Sequence, residues 1–361
     1  MLGVEFPICA FSHCRDVVAA VSSAGGFGIL GAVAHSPRRL ETELTWIEEQ
    51  TGGKPYGVDL LLPPKYVGAE RGGIDTKQAR ELLPEEHRAF VDDLLVRYGI
   101  PVPTDEQRPL AGELNISPKG YEPLLDVAFA HGIRLIASAL GSPPPDLVQR
   151  AHDNDVLVAA LAGTTQHARR HAAAGVDLIV AQGAEAGGHT GTITSMILWP
   201  SVVDAVAPIP VLGAGGIGRG RQMAAALALG CDGIWCGSIW LGTKQSDLLP
   251  EMKELLYGAK AEQAVQSRSR TGKPARMLKS KLTEAWEQPG APKFAGMPWQ
   301  TMINTEPRLR IERARNKDFL TCPVGQIVGD MKEEQTVKQV IYDLLNEYAD
   351  TTERMIELVS E

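Results

Sequence analysis

Short apolar runs alternate with alanine-rich stretches carrying apolar residues at helical spacing through the first two thirds of the chain. This alternation predicts parallel strands joined by crossover helices. Eight runs read as strands, near 7–10, 28–30, 57–61, 135–139, 156–160, 178–181, 210–212 and 233–236, each bounded by Gly, Pro or a helix start. The spacing predicts helices over 16–24, 37–51, 121–131, 144–153, 164–174 and 219–229. Gly132, Gly175 and Gly230 stand where a helix end wants a left-handed cap. Eight strand–helix units are the arithmetic of a closed (β/α)8 TIM barrel, whereas an open doubly wound sheet has about five to seven strands.

The pattern breaks at 63–118, a Pro- and charge-rich insertion with one helical piece at 85–98, expected to form a lid or contact surface. After Thr243 the alternation stops, and the remainder reads as helical, with breaks at Pro289, Pro292, Pro298, Pro307 and Pro323. The expected organisation is a barrel over 1–243, a cap on the substrate side over 244–304, and a helical tail over 305–361 ending in an amphipathic helix from Glu333.

With 44% hydrophobic and 22% charged residues among 361, the chain must bury a core. A formal net charge of -8 disfavours a nucleic-acid partner. The five cysteines are odd in number and form no C-x-x-C pair, so they read as reduced thiols. The first residues lack the basic and apolar regions of a signal peptide, and the most apolar stretch, 223–241, is interrupted by Asp232 and glycines. A cytoplasmic protein with no membrane span is expected. No metal-ligand motif is present, so no metal is expected.

In a barrel the chemistry lies at the C-terminal ends of the strands. The run 210–221 leads a strand into a glycine cluster with Gly215 and Gly216 and then into a helix. That geometry lets backbone N–H groups cradle a phosphate, the alternative being a flexible turn. A second turn of small residues, Gly237-Ser238, follows the eighth strand, and barrel phosphate sites often use these two loops together. A dinucleotide fingerprint over 213–218 is rejected because it lies late in the chain and lacks the acidic residue about 20 positions on.

The loop 181–191 places Gln182, Glu185 and His189 among four glycines, with Gln182 at the strand end and His189 aimed into the pocket. Histidine is the side chain best suited to move a proton near neutral pH. His35, His87, His131, His152, His167 and His171 read as histidines of helices or exposed loops. In the first loop, adjacent His13 and Cys14 lack an orienting third group, so Phe11, Ser12 and His13 read as a ligand-contacting loop rather than a thiolate site.

Taken together these residues resemble the 2-nitropropane dioxygenase-like family of nitronate monooxygenases and their flavin-dependent reductase relatives. The main element is Gln182-Gly-Ala-Glu-Ala-Gly-Gly-His-Thr-Gly191, supported by Ala20–Gly28, Ala214-Gly-Gly-Ile217 and Ser269–Arg276. The resemblance implies FMN, with its phosphate on Gly215, Gly216, Gly237 and Ser238, and with Gln182, Gly187 and Gly188 at the flavin. It implies that His189 sits over the ring and acts on the substrate's acidic carbon or nitro group. The reaction implied converts an alkyl nitronate and O2 into a carbonyl compound and nitrite. The alternative is an NAD(P)H-dependent flavin oxidoreductase of enoyl thioesters or quinones. Two departures stand out: Asp59 replaces the family's Asn near the flavin, and the first loop, Phe11 to His13, differs from the usual sequence. A homodimer is the default expectation for such a chain.

Overall fold

The computed structural model describes residues 1–62, 83–102 and 117–360. Its strands are β1 Ile8–Ser12, β2 Phe27–Gly31, β3 Tyr56–Leu60, β4 Leu135–Ser138, β5 Leu157–Ala162, β6 Leu178–Gln182, β7 Gly188–His189, β8 Val211–Ala214, β9 Gly233–Cys236, β10 Ala264–Ser267 and β11 Ala275–Leu278. The described α-helices are α1 Arg15–Ser23, α2 Pro37–Thr51, α3 Glu85–Arg97, α4 Pro118–Ala130, α5 Pro145–Asp153 and α6 Thr165–Ala173. They continue with α7 Ser195–Val206, α8 Gly220–Ala228, α9 Pro250–Gly258, α10 Lys281–Trp286, α11 Trp299–Ala314 and α12 Val337–Ser360.

Local chemistry sets the helix ends. Ser36 Oγ accepts the Arg39 N–H at 3.3 Å before Pro37 opens α2, and Gly52, at φ 61°, closes it in the left-handed conformation. Thr164 caps α6 in the same way through the His167 N–H at 3.1 Å.

Eight strands close a parallel barrel in the order β1-β2-β3-β4-β5-β6-β8-β9, with β9 pairing back to β1. Alternation along each strand separates two layers. Phe27, Ile29, Leu135, Ala137, Val180, Leu212 and Trp235 belong to the buried cluster inside the barrel. Leu30, Val58, Ile136, Val158 and Ile234 pack outward with the helices. The fold class expected from the sequence is therefore the observed one, a (β/α)8 barrel, with each predicted strand overlapping a barrel strand and shifted by at most a residue or two.

The region after Thr243 departs from its reading as all helical. β10 and β11 form an antiparallel hairpin, and β11 also pairs with β7, giving a three-stranded sheet outside the barrel. Pro307 does not break a helix: α11 runs through it with the ring buried. The expected boundary between 304 and 305 thus falls within one helix. Of the insertion 63–118, residues 63–82 and 103–116 lie outside the described residues. Its described helix α3 buries Val91, Leu94 and Leu95 in a second core with Met252, Leu282, Trp286, Ile311 and Phe319 of the C-terminal region.

Candidate active site

The loops after β6, β8 and β9 converge on one side of the barrel mouth. Gly183 turns tightly after β6, where an added Cβ would lie 2.1 Å from Ser195 Oγ. Gly215 and Gly216 follow β8 with φ of 101° and 75°, the left-handed region that favours glycine. A Cβ on Gly215 would approach the Gly183 carbonyl to 3.1 Å, so the two loops touch. After β9, a Cβ on Gly237 would be 3.9 Å from Phe11 at the end of β1, which leaves space between those two loops. Among the described residues no protein acceptor takes the N–H of Gly215, Gly216 or Gly237. Free backbone donors on a concave glycine turn form an anion-binding nest.

The start of α8 after this glycine cluster is engaged within the protein. Glu347 of α12 accepts the Gly220 N–H at 2.9 Å, and Gln222 Oε1 accepts the N–H groups of Gly218 and Arg219 at 2.8 and 3.0 Å. The first turn of α8 is therefore satisfied by the protein itself, and the nest rests on the glycine turns. Ser238 is also partly committed, its Oγ accepting the Gly325 N–H at 2.8 Å.

The signature loop after β6 divides its roles. Glu185 does not face the mouth as a reactive acid. Its carboxylate accepts the Ser195 N–H at 3.0 Å and the Ser195 hydroxyl at 2.9 Å, capping α7. Gly187 packs against the chain at Val324–Gly325, where a Cβ would come within 2.8 Å of backbone atoms. Gly188 (φ 74°) opens β7, and His189 ends it in register with Ala275 of β11. Gln182 ends β6 on the inward side, in register with Ala214.

His189 is partly buried, and its Nδ1 lies 3.1 Å from the Pro274 carbonyl. A carbonyl only accepts, so Nδ1 carries the proton and Nε2 carries the lone pair. Burial lowers the His189 pKa, and the charges of Lys273 and Arg270 lower it further against the opposing hydrogen bond to Pro274. The imidazole is therefore a neutral base at pH 7.

On the opposite side of the mouth, His13 stacks edge-on with Phe11 at 5.1 Å between centroids and bonds the Gly31 carbonyl through Nδ1 at 2.9 Å. Water reaches the ring, yet the surrounding walls desolvate it enough to lower its pKa, with Arg270 and Arg308 adding to that effect and Asp247 opposing it. Ser12 is used locally, its Oγ accepting the Cys14 N–H at 3.1 Å before α1. Asp59 lies on the inward side of β3, in register with Gly31 and Ala137.

Arg270 went unremarked in the sequence. It lies in the turn between β10 and β11, lines a small cavity with Asn304, Arg308 and Glu312, and acts electrostatically on both His13 and His189. Burial and Arg308 lower its pKa to about 10, which leaves it cationic. Among the described residues its guanidinium has no hydrogen bond or ion pair. Gln300 holds this turn by donating to the Ser269 carbonyl at 2.8 Å. Arg276 ties β11 to the signature loop by donating to the carbonyls of Ala184 at 2.9 Å and Ala264 at 2.6 Å. Nothing in the spacing around Ser269–Arg276 separates the cation that acts on the two histidines from the one that fastens the hairpin.

Of the histidines read as belonging to helices or exposed loops, His87 and His171 do lie on helices and are buried. His171 is buried and bonds Ser142 Oγ at 2.8 Å and the Leu161 carbonyl at 3.0 Å, and His87 is buried with Nε2 at 2.7 Å from the Lys293 carbonyl. His35 is buried as well. All five cysteines are free and buried. Among the described residues no helix is long and apolar enough to cross a membrane, and no group of three or more His, Cys, Asp or Glu side chains could hold a metal.

A closed parallel barrel with a neutral histidine in the loop after β6 marks a barrel oxidoreductase similar to nitroalkane oxidase from Streptomyces ansochromogenes. The two superpose with a TM-score of 0.81 at 26% identity, covering 98% of each chain. The nitronate monooxygenase family model matches residues 6–347, and the chain belongs to that family. The Mycobacterium tuberculosis protein named "Putative monooxygenase Rv1533" is 65% identical, over 99% of this chain and 98% of its own. A Staphylococcus saprophyticus protein named "Probable nitronate monooxygenase" is 29% identical over 78% of each. FabK from Thermotoga maritima superposes with a TM-score of 0.74 at 26% identity, covering 99% of this chain and 97% of its own.

Proposed function

We propose that this protein is an FMN-dependent nitronate monooxygenase that oxidises an alkyl nitronate with O2 to a carbonyl compound and nitrite. The observation that carries this reading is His189, a neutral imidazole whose Nδ1–H is committed to Pro274 and whose Nε2 is left as a base. The nest of Gly215, Gly216 and Gly237 fits the FMN phosphate, because its donors are free and its backbone conformation leaves an open concave turn. Gln182, Gly187, Gly188 and Ser238 border the same mouth, with Phe11, Ser12 and His13 on the strand-one side.

FMN, when bound, supplies the electron-transfer and oxygen chemistry. The chain's part is to hold the substrate and move a proton. Arg270 and Lys273 offer positive charge beside His189, where the negative nitro oxygens of a nitronate would be stabilised. When the substrate arrives as the neutral nitroalkane, His189 Nε2 takes the proton from the carbon beside the nitro group and so forms the nitronate, and the Pro274 carbonyl keeps the ring oriented while the imidazolium forms.

A second reading, an NAD(P)H-dependent oxidoreductase of enoyl thioesters or quinones, draws on one observation. Arg308 joins Arg270 in acting on His13, which is more positive charge than a singly charged nitronate needs and would suit a phosphate-bearing reductant. Anaerobic titration of the FMN-loaded protein separates the two. Bleaching of the flavin absorbance by ethylnitronate but not by NADH or NADPH is the expected result. Bleaching by a nicotinamide nucleotide alone overturns the monooxygenase reading in favour of the reductase.

A further inference from the structure

Asp59 is a carboxyl group that the proposed chemistry leaves unused. It stands on the inward side of β3 near the strand's end, and only 5% of the residue is exposed. Its partners in register are Gly31 on β2 and Ala137 on β4, and neither side chain offers a donor or a charge. Gly31 is bare because the His13 ring occupies the space: an added Cβ would lie 2.6 Å from His13 Nδ1, which is itself committed to the Gly31 carbonyl.

No hydrogen bond or ion pair reaches the Asp59 carboxyl from the described residues. Arg270, Arg308 and Asp247 act on His13, but no charged group among the described residues acts on Asp59, and burial raises its pKa well above the ordinary carboxylate range. A carboxylate withdrawn from water with neither counter-ion nor donor costs several kcal/mol, so the neutral acid is the stable form. A neutral carboxyl has an O–H to donate and a carbonyl to accept, the two functions that a carboxamide of the same shape provides.

We propose that Asp59 is a cofactor contact that presents a protonated carboxyl to bound FMN, donating its O–H to an acceptor atom of the flavin ring. This rests on the flavin reading above. The contact stands where the family resemblance implies an Asn, and it removes the repulsion that an ionised aspartate would impose there. A hydrogen bond to an acceptor that gains negative charge strengthens, so the neutral acid favours the reduced cofactor where a carboxylate would oppose it.

Infrared spectra at pH 7 with and without FMN, on the wild type and Asp59→Asn, read the C=O stretch of a protonated carboxyl directly. The expected result is a band that is missing in Asp59→Asn and shifts to lower frequency when FMN binds. Flavin fluorescence should show the Asn variant binding FMN within a few-fold of wild type, and Asp59→Leu binding about tenfold more weakly, the scale of one lost hydrogen bond. Absence of the band overturns the proposal, as does a band that stays put while FMN is bound, or an undiminished affinity in Asp59→Leu. If the wild type binds no FMN at all, the flavin reading falls and this contact with it. That outcome is told apart from the others because the Asp59 band is then present with no bound flavin signal.

Discussion

At the residue scale, His189 combines two constraints that single out its role. Its Nδ1–H is fixed by Pro274, and burial together with Lys273 and Arg270 keeps the ring neutral. His189→Asn keeps a donor for Pro274 but no base, so FMN absorbance should persist while turnover of a neutral nitroalkane falls roughly 100-fold, the scale for losing a general base. The pH profile carries the sign. A base whose pKa is lowered stays active to lower pH, so the rate with a neutral nitroalkane should hold steady from pH 8 past the ordinary histidine range. It should decline only as the pH drops through the depressed value, and His189→Asn should lack that acid limb in a steady-state pH–rate series. His189 was legible in the sequence because an imidazole among glycines at a strand end has few structural uses. The base-forming partner, Pro274, was not, since it comes from the β10–β11 turn, 85 residues on in the chain. Gly187 was read as a ligand-facing glycine, and the close neighbour that bars a side chain there is the backbone at Val324–Gly325.

At the scale of elements, the signature loop works as the third strand of a sheet built by the cap. β7 has only two residues and pairs with β11, which Arg276 fastens to the Ala184 and Ala264 carbonyls. Arg276→Met keeps the aliphatic stem and removes both bonds. It should lower kcat for a neutral nitroalkane about tenfold with the FMN spectrum intact, because a small misplacement of His189 is enough to slow proton removal. Steady-state kinetics beside the flavin spectrum checks this, and an unchanged kcat would mean that the strand pairing alone positions the histidine. Glu185→Gln tests the other end of the loop. It weakens a charged cap on α7 and should cost about 1 kcal/mol in thermal unfolding, with no loss of the base.

The barrel strands were readable because β-branched and alanine-rich runs recur at the period of a strand–helix unit, as in Leu178 to Ala181 before α7's cap. β10 and β11 were not readable. Ala264-Val-Gln-Ser and Ala275-Arg-Met-Leu are four-residue strands with a single β-branched residue between them, and their third partner lies in a distant loop. Pairing so remote in sequence leaves no local period to detect.

On the scale of the whole molecule, the protein is held by a barrel core and a separate core in which α3 of the insertion meets the C-terminal helices. Their junction includes Arg310 of α11, which is 5% exposed. Its guanidinium pairs with Asp92 of α3, lies 3.5 Å from Glu306, and donates to the Ile100 carbonyl at 3.1 Å. A charge buried this deeply is tolerated only with its partners in place, so Arg310→Ala should cost about 3–5 kcal/mol by stranding Asp92 and the Ile100 carbonyl. The damage should stay local, because the barrel strands draw their stability from other contacts. Hydrogen exchange should then rise in α3 and α11 while β1 to β6 keep their protection and FMN stays bound. Replacing both charges with apolar residues of similar length, Arg310→Met with Asp92→Leu, should recover much of the loss, since the cost lies in the unpaired charge more than in the absent bond. If Arg310→Ala instead loosened the barrel strands equally, the C-terminal region and the barrel would unfold as one unit, and neither could be altered independently of the other.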